Sequence, residues 1–347
     1  MKPGVFFIFI ATIIVSAILI NNAPSAISPE IAINPEKKCN GSLSEQFDCY
    51  ESFYTNIVRE AGVKPAMADL RRRYDENEVF VHPQCHQLAH TIGRAAMMNY
   101  STVTEAYLEG DSFCWSGYYH GVLEGVAMSQ GVVWLLSNID GVCTEIPGKE
   151  FYSFDYYNCV HGLGHGFMSV SNHELFESLE MCGTLTGSWE QSSCWSGVFM
   201  ENIISHGIKN YSAYLKPEDP LYPCNAVNDK YRQTCFLMQT SYMLEVAGRD
   251  FAKVFELCEE SGIYSSTCYQ SLGRDASGST ISDVSRTKSY CLLGKNDEQR
   301  SNCIIGAVKD FISYFHSDIE AKNLCASLSR QLRSTCSITV ENYYKIF

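Results

Sequence analysis

The chain has little positive charge. It carries 26 lysines and arginines against 39 aspartates and glutamates, which gives a formal net charge of −13 and a pI near 5.2. One basic run, Arg71-Arg72-Arg73, is followed closely by Asp75 and Glu76, a pattern that favours a solvated helix face. Because nothing along the sequence would neutralise phosphates in a groove, we expect no binding to nucleic acid.

Several motifs of familiar active sites are also absent. The sequence has no G-x-S-x-G nucleophile motif, no G-x-x-x-x-G-K-[ST] phosphate loop and no C-x-x-C pair. The lack of C-x-x-C-H argues against a covalently attached haem. These absences argue against serine hydrolases with that motif, P-loop enzymes and thiol redox enzymes.

A single long hydrophobic run occurs, at residues 5–20, preceded by Lys2. It is slightly long for a signal-peptide core and slightly short for a membrane span of about 20 residues. We therefore predict that residues 1–26 are a cleaved signal peptide or an N-terminal membrane anchor, followed by a linker at residues 27–37. Either reading places the remainder outside the cytoplasm, with membrane contact only through this segment.

Cysteine, in contrast, is abundant and even in number, with 16 in 347 residues. In an oxidising compartment such a set forms a disulfide framework, and a cysteine-based zinc site, which needs free thiolates, is not expected. Three N-x-S sequons, at Asn40, Asn99 and Asn210, agree with an exported glycoprotein.

The cysteines of the C-terminal half recur with a period near 34 residues. The first of each pair are Cys258, Cys291 and Cys325, and the second are Cys268, Cys303 and Cys336. This period is typical of stacked helical hairpins. Ser317-Asp-Ile-Glu indicates an N-cap with an acidic first turn, so we predict a short helix ending near Cys325 and a longer one from about Gln331 to Tyr344.

Sorting all cysteines by this scheme predicts eight disulfides. The first cysteine of a pair would lie in the last turn of a short helix, and the second in the first turn of the next, long helix. Seven bonds would close hairpins: Cys39–Cys49, Cys143–Cys159, Cys182–Cys194, Cys224–Cys235, Cys258–Cys268, Cys291–Cys303 and Cys325–Cys336. Cys85 and Cys114 remain, and we expect them to cross-link neighbouring long helices.

These patterns predict an all-α protein of disulfide-stapled αα-hairpin repeats. In plan, though not in consensus residues, such an array resembles the cysteine-rich Sel1-like and tetratricopeptide solenoids. We expect residues 38–171 to form the N-terminal repeats and residues 172–347 the C-terminal repeats that extend the scaffold.

Histidines follow three consecutive cysteines at short spacing. They are His86 and His90 after Cys85, His120 after Cys114, and His161 and His165 after Cys159. An i,i+4 spacing places two side chains on one helix face, which applies to both H-x-x-x-H pairs and to His120 with Glu124. If the cysteines hold the helices at equal height, His90, His120 and His165 form one layer. His86 and His161 would then lie about 6 Å away along the helices.

Imidazoles from three separate helices are suitable ligands for copper, zinc or iron and leave a coordination position open. The predicted metal ligands are His86, His90, His120, His161 and His165, and Glu124 is the predicted catalytic general base. The sequence thus favours an exported metalloenzyme of redox or hydrolytic type. The alternative is a repeat scaffold that binds a protein or glycan and whose histidines are hydrogen-bonded core residues.

Overall fold

The computed structural model describes residues 35–206, 212–280 and 283–343. This part of the chain is all-helical, with a helix content of 72% and no strand. The predicted signal or anchor, most of the linker and the sequon at Asn210 lie outside the described residues. None of the helices within them is both long and apolar enough to span a membrane.

The described helices differ in length, and short helices often precede long ones. In chain order they are α1 (Pro35–Lys38), α2 (Leu43–Ala61), α3 (Val63–Asp75), α4 (Val81–Ala96), α5 (Val103–Tyr107), α6 (Gly117–Gln130), α7 (Val132–Asn138), α8 (Phe154–Val170), α9 (Leu175–Cys182), α10 (Ser188–Ile204), α11 (Asp229–Met238), α12 (Thr240–Val246), α13 (Phe251–Glu259), α14 (Ser265–Gly278), α15 (Val284–Cys291), α16 (Asp297–Phe315), α17 (Ile319–Ser327) and α18 (Arg330–Tyr343). The last two agree with the short and long helices predicted there.

All eight predicted disulfides are present, and no cysteine is free. Their positions differ from the expectation in three respects. Three first cysteines, Cys39, Cys143 and Cys224, lie outside any helix, not in the last turn of a short one. Most second cysteines lie in the second turn of their helices, not the first: Cys49, Cys85, Cys159, Cys194, Cys235, Cys303 and Cys336. Cys114 is not helical: it belongs to a left-handed turn, Cys114–Ser116, whose three φ angles are between 54° and 62°, and α6 begins only at Gly117.

The long helices pack against their neighbours in chain order, with α4 on α6, α6 on α8, α8 on α10 and α14 on α16. Three of these contacts, α4/α6, α8/α10 and α14/α16, have the same kind of crossing, at which one glycine of each helix faces a glycine of the other. We call this a glycine crossing. The glycine pairs are Gly93 with Gly121, Gly164 with Gly197 and Gly273 with Gly306. A Cβ added at any of the six would overlap a backbone carbonyl oxygen of the facing helix. Glycine is therefore required there because the two backbones approach closely.

The early helices also contact the late ones. The Trp115 ring lies 5.1 Å from that of Tyr314 on α16, and the Phe154 ring lies 5.2 Å from that of His316. Residues 162 and 199 positions apart in the sequence are thus in contact. This contact positions the cavity described below.

Candidate metal centre

The structure brings all five predicted histidines into one cluster. His120, on α6, lies between the two H-x-x-x-H pairs: its ring centroid is 5.3 Å from His86, 5.4 Å from His90 and 4.7 Å from both His161 and His165. Four of the rings are buried, and only His86 is partly exposed. Two packing features produce the convergence. The glycine crossings draw α4 onto α6 and α8 onto α10 at the level of these rings, and α6 packs on α8.

Within each H-x-x-x-H pair the two Nε2 atoms face each other. They are 3.0 Å apart in His86 and His90, and 3.1 Å apart in His161 and His165. Two nitrogens that each bind one ion at about 2.0–2.1 Å lie no more than about 4.2 Å apart. Each pair therefore has the separation needed by two ligands of one ion.

The Nδ1 partners establish the tautomers of two of these rings. His86 Nδ1 is 2.8 Å from the Cys114 carbonyl oxygen, which can only accept, so Nδ1 carries the hydrogen. His161 Nδ1 is 2.7 Å from Ser196 Oγ, whose own hydrogen is donated to the Ser193 carbonyl oxygen. In the neutral rings, Nε2 of both histidines therefore carries a lone pair directed into the cluster.

A carboxylate orients His90. The Glu124 carboxylate lies 2.6 Å from His90 Nδ1 and accepts a 2.6 Å hydrogen bond from Arg94, which also pairs with Glu51. Burial alone would raise the pKa of Glu124, but the adjacent His90 and Arg94 outweigh it and lower this pKa to about 2. Glu124 is therefore ionised at neutral pH and fixes the His90 ring.

Glu201 on α10 has the same relation to His165, with its carboxyl oxygen 2.8 Å from Nδ1. Burial raises the pKa of Glu201 well above its ordinary value, and the charge of Glu124 adds to this effect. Sequence reasoning missed both Glu201 and Arg94. A signal was available, because Glu201 and Asn202 are the two polar residues inside the otherwise apolar run Gly197–Ile204, and Glu201 lies four residues after the crossing glycine.

His120 differs from the other four histidines. It is only 2% exposed, and neither of its ring nitrogens forms a hydrogen bond of normal geometry in the described part of the chain, although the buried Asn158 side chain lies close enough to interact with the ring. Burial lowers the pKa of His120 well below its ordinary value, and the neighbouring histidines lower it further. The ring is therefore neutral, with a lone pair that no hydrogen bond of normal geometry satisfies.

Burial holds three other rings in the neutral state too. It lowers the pKa of His86 and of His161 to about 3, and that of His165 well below its ordinary value, with the neighbouring histidines adding to each shift. Neutral imidazole is the form that binds metal ions.

Three groups of side chains in the described residues have the geometry to hold a metal ion. They are His86, His90 and His120; His120, His161 and His165; and His90, Glu124, His165 and Glu201. In each group the ligand atoms lie within 4.8 Å of one another. The first two groups share His120, and the third uses the Nδ1 sides of His90 and His165.

The histidines are not arranged in the layers that their sequence spacing from the cysteines predicted. At the crossings, His90 and His161 occupy equivalent positions three residues before a glycine, and His120 is equivalent to Ser196. The cysteine-based alignment had instead matched His120 with His165. It was shifted because Cys114 lies in a left-handed turn ahead of α6, whereas Cys159 lies inside α8.

The other predicted site residues have definite surroundings. Glu124 lies on the far side of His90 from the facing Nε2 atoms, and its function as a general base stays a prediction. Asn40 is exposed, whereas the Asn99 amide donates a 2.8 Å hydrogen bond to the Val58 carbonyl oxygen. Glycosylation at both asparagines also stays a prediction.

Two cavities reach the cluster. One of about 570 Å³ is lined by His120 and His161, together with residues of α14, α16 and α18. Another, of about 910 Å³, is lined by His86 and Gln87. The cluster is therefore buried in the helix pairs but borders space that small molecules could enter.

Comparisons with protein-family models, with curated proteins and with solved structures find no match. The interpretation of the centre therefore depends on its own geometry.

Proposed function

We propose that the protein is an extracytoplasmic metalloenzyme whose repeated helical hairpins hold a transition metal in the five-histidine cluster. The observation that carries the proposal is His120: a buried ring, surrounded by four other histidines, whose nitrogens form no hydrogen bond of normal geometry with any described residue, Asn158 being a weak contact. A buried polar group without a partner costs about 1–3 kcal/mol. A metal ion bound by His120 and the adjacent pair would remove this cost.

The facing Nε2 atoms support the same conclusion. In the neutral His86 and His90 rings, whose Nδ1 hydrogens go to the Cys114 carbonyl and to Glu124, two Nε2 lone pairs at 3.0 Å repel each other unless a proton or a metal cation lies between them. Glu124 acts on the Nδ1 side of His90, as carboxylates that orient metal-binding histidines commonly do, and Glu201 would do the same for His165 once it is ionised. Because the two three-histidine groups share His120, the cluster has places for up to two ions.

The ligand chemistry favours copper, zinc or iron over magnesium or calcium, which prefer oxygen ligands. A three-histidine site leaves a coordination position for water or substrate, as catalytic sites do. The cavities beside His86, His120 and His161 give access to that position. When bound, the ion would supply Lewis acidity or redox chemistry, and the histidines would hold it in place.

Export is the other part of the proposal. Eight disulfides and no free cysteine indicate an oxidising environment. We propose that residues 1–26 direct the chain out of the cytoplasm, as a cleaved signal or as an anchor.

Elemental analysis of the full chain, produced in an oxidising compartment and exposed to copper, zinc and iron, tests the metal site. We expect near-stoichiometric metal in the native protein and its loss in a His120→Ala/His165→Ala variant. His82→Ala is the matched control, since His82 stacks on Tyr74 and belongs to none of the three groups that could hold a metal ion. A folded native protein that takes up no metal would refute the proposal and favour the protein- or glycan-binding scaffold.

A further inference from the structure

We infer that the 570 Å³ cavity beside the histidine cluster is a binding site for a small aromatic carboxylate, with Lys309 as the cation that receives the carboxylate. The cavity lies within the usual size range of ligand pockets, about 300–1,000 Å³. The inference deepens the proposed function by naming the class of molecule placed beside the metal. The biological reason for binding such a ligand rests on the proposed metal function. Binding itself does not, because protein side chains form the site.

The third glycine crossing explains why polar groups line this cavity. At equivalent positions, His161 of the α8/α10 pair corresponds to Gln270 of the α14/α16 pair, and Met200 corresponds to Lys309. All four residues line the same cavity. The α14/α16 pair thus directs a cation and an amide into the space where the α8/α10 pair directs a predicted metal ligand.

Among the described residues, Lys309 has no carboxylate partner. Its Nζ donates a 3.1 Å hydrogen bond to the Gln270 side-chain oxygen, a neutral group. No carboxylate of the described residues forms an ion pair with Lys309, and burial lowers its pKa. Lys309 is partly buried, and charged groups removed from water are normally paired, so an anionic ligand is the natural complement.

The other charged groups of the cavity already have partners. Arg274 pairs with Asp275 at 3.0 Å and donates to the Leu237 carbonyl oxygen at 2.9 Å. The Asp310 carboxyl accepts hydrogen bonds from Ser277 and Trp115, and burial raises its pKa to about 7. Lys309 is therefore the charged group left to recognise an anion.

The remaining lining indicates the rest of the ligand. Eight of the lining residues are aromatic, among them Trp115, Tyr157, Trp189 and Tyr314. Phe151, also a lining residue, is 53% exposed. Aromatic pairs contribute about 0.5–1.5 kcal/mol beyond their buried area, so a planar ring is favoured over an aliphatic chain.

The left-handed turn contributes to this wall. Trp115 is the middle residue of three consecutive non-glycine residues with positive φ, a conformation that costs energy at each position. The turn directs the indole against Tyr314 and into the lining of the cavity. It joins the cavity wall directly to the start of α6, the helix that carries His120.

Calorimetric titration of the full-length, metal-free protein with phenylacetate tests the inference, with the neutral isostere phenylacetamide as comparison. We expect phenylacetate to bind at least tenfold more tightly than phenylacetamide. A Lys309→Met variant should lose at least tenfold in phenylacetate affinity. Lys253→Met, which removes an exposed lysine of α13, is the matched control and should bind as the native protein does.

Each outcome supports or overturns the site. Failure of phenylacetate to bind, or equal affinity for the amide, would overturn it without reference to any variant. Unchanged phenylacetate affinity in Lys309→Met would overturn the function of this lysine. Binding that persists in the metal-deficient His120→Ala/His165→Ala variant would support the site even where the metal proposal had failed.

Discussion

The histidine cluster shows how burial determines the chemistry of single residues. His161 is 1% exposed, and burial with the nearby His86 and His90 lowers its pKa from the ordinary 6.5 to about 3. Its folded form is therefore neutral over a range in which the unfolded chain is protonated. The same direction applies to His86, His120 and His165.

We expect the metal-free protein to lose stability as the pH falls below 6.5. Because the folded pKa of His161 is depressed, its contribution is fully present above 6.5 and is lost as the pH falls toward 3. At pH 5 this one residue should account for about 2 kcal/mol. Urea unfolding at pH 7 and pH 5 in the presence of a chelator measures the difference. His161→Gln should show a loss smaller by about that amount, and an equal loss in both proteins would contradict the assignment.

At the scale of helices, the glycine crossings decide which side chains meet. Gly197 has no room for a side chain, because a Cβ would overlap the His161 carbonyl oxygen, and Gly164 is restricted in the same way by Cys194. Glycine inside a helix costs about 1 kcal/mol relative to alanine. Close packing of α8 on α10 offsets this cost and places His165 beside Glu201.

We expect Gly197→Ala to separate α8 from α10, since a backbone carbonyl cannot move aside as a flexible side chain can. Overpacking of this kind should destabilise the protein by about 3 kcal/mol and reduce its metal content. Gly278→Ala is the control, because a Cβ there would lie 3.8 Å from its nearest neighbour atom. Thermal unfolding and elemental analysis of both variants check the prediction, and equal stability of the two would refute it.

At the scale of the whole molecule, the disulfides have two different functions. Seven of them close loops with sequence separations of 10–16 residues within hairpins. The Cys85–Cys114 bond, with a separation of 29, joins α4 to the left-handed turn. It lies beside His86, whose Nδ1 contacts the Cys114 carbonyl oxygen.

We expect removal of these two kinds of bond to separate stability from metal binding. By loop entropy, Cys85→Ser/Cys114→Ser should cost about 3–4 kcal/mol and Cys325→Ser/Cys336→Ser about 3 kcal/mol. Only the first should also lower metal content, because the turn that holds His86 loses its link to α4. Denaturant unfolding with elemental analysis of each variant measures both effects, and equal metal content in the two would contradict this division.

The sequence by itself determined the features that depend on local spacing. The cysteine spacing predicted α17, α18 and seven disulfides, because hairpin bonds join residues only 10–16 apart, and it left Cys85 and Cys114 as the eighth pair. The cysteine–histidine spacing identified the five histidines that meet, because an i,i+4 pair shares a helix face whatever the tertiary fold.

Only the tertiary structure decided how those histidines are paired and what surrounds them. The left-handed turn at Cys114 shifted His120 relative to the spacing-based alignment, and a backbone conformation of this kind leaves no simple sequence signal. The partners Arg94 and Glu201 and the cation Lys309 meet the cluster or its cavity through contacts between distant helices. Such contacts depend on how closely the backbones cross and on which faces are buried, and these are properties of the packed molecule.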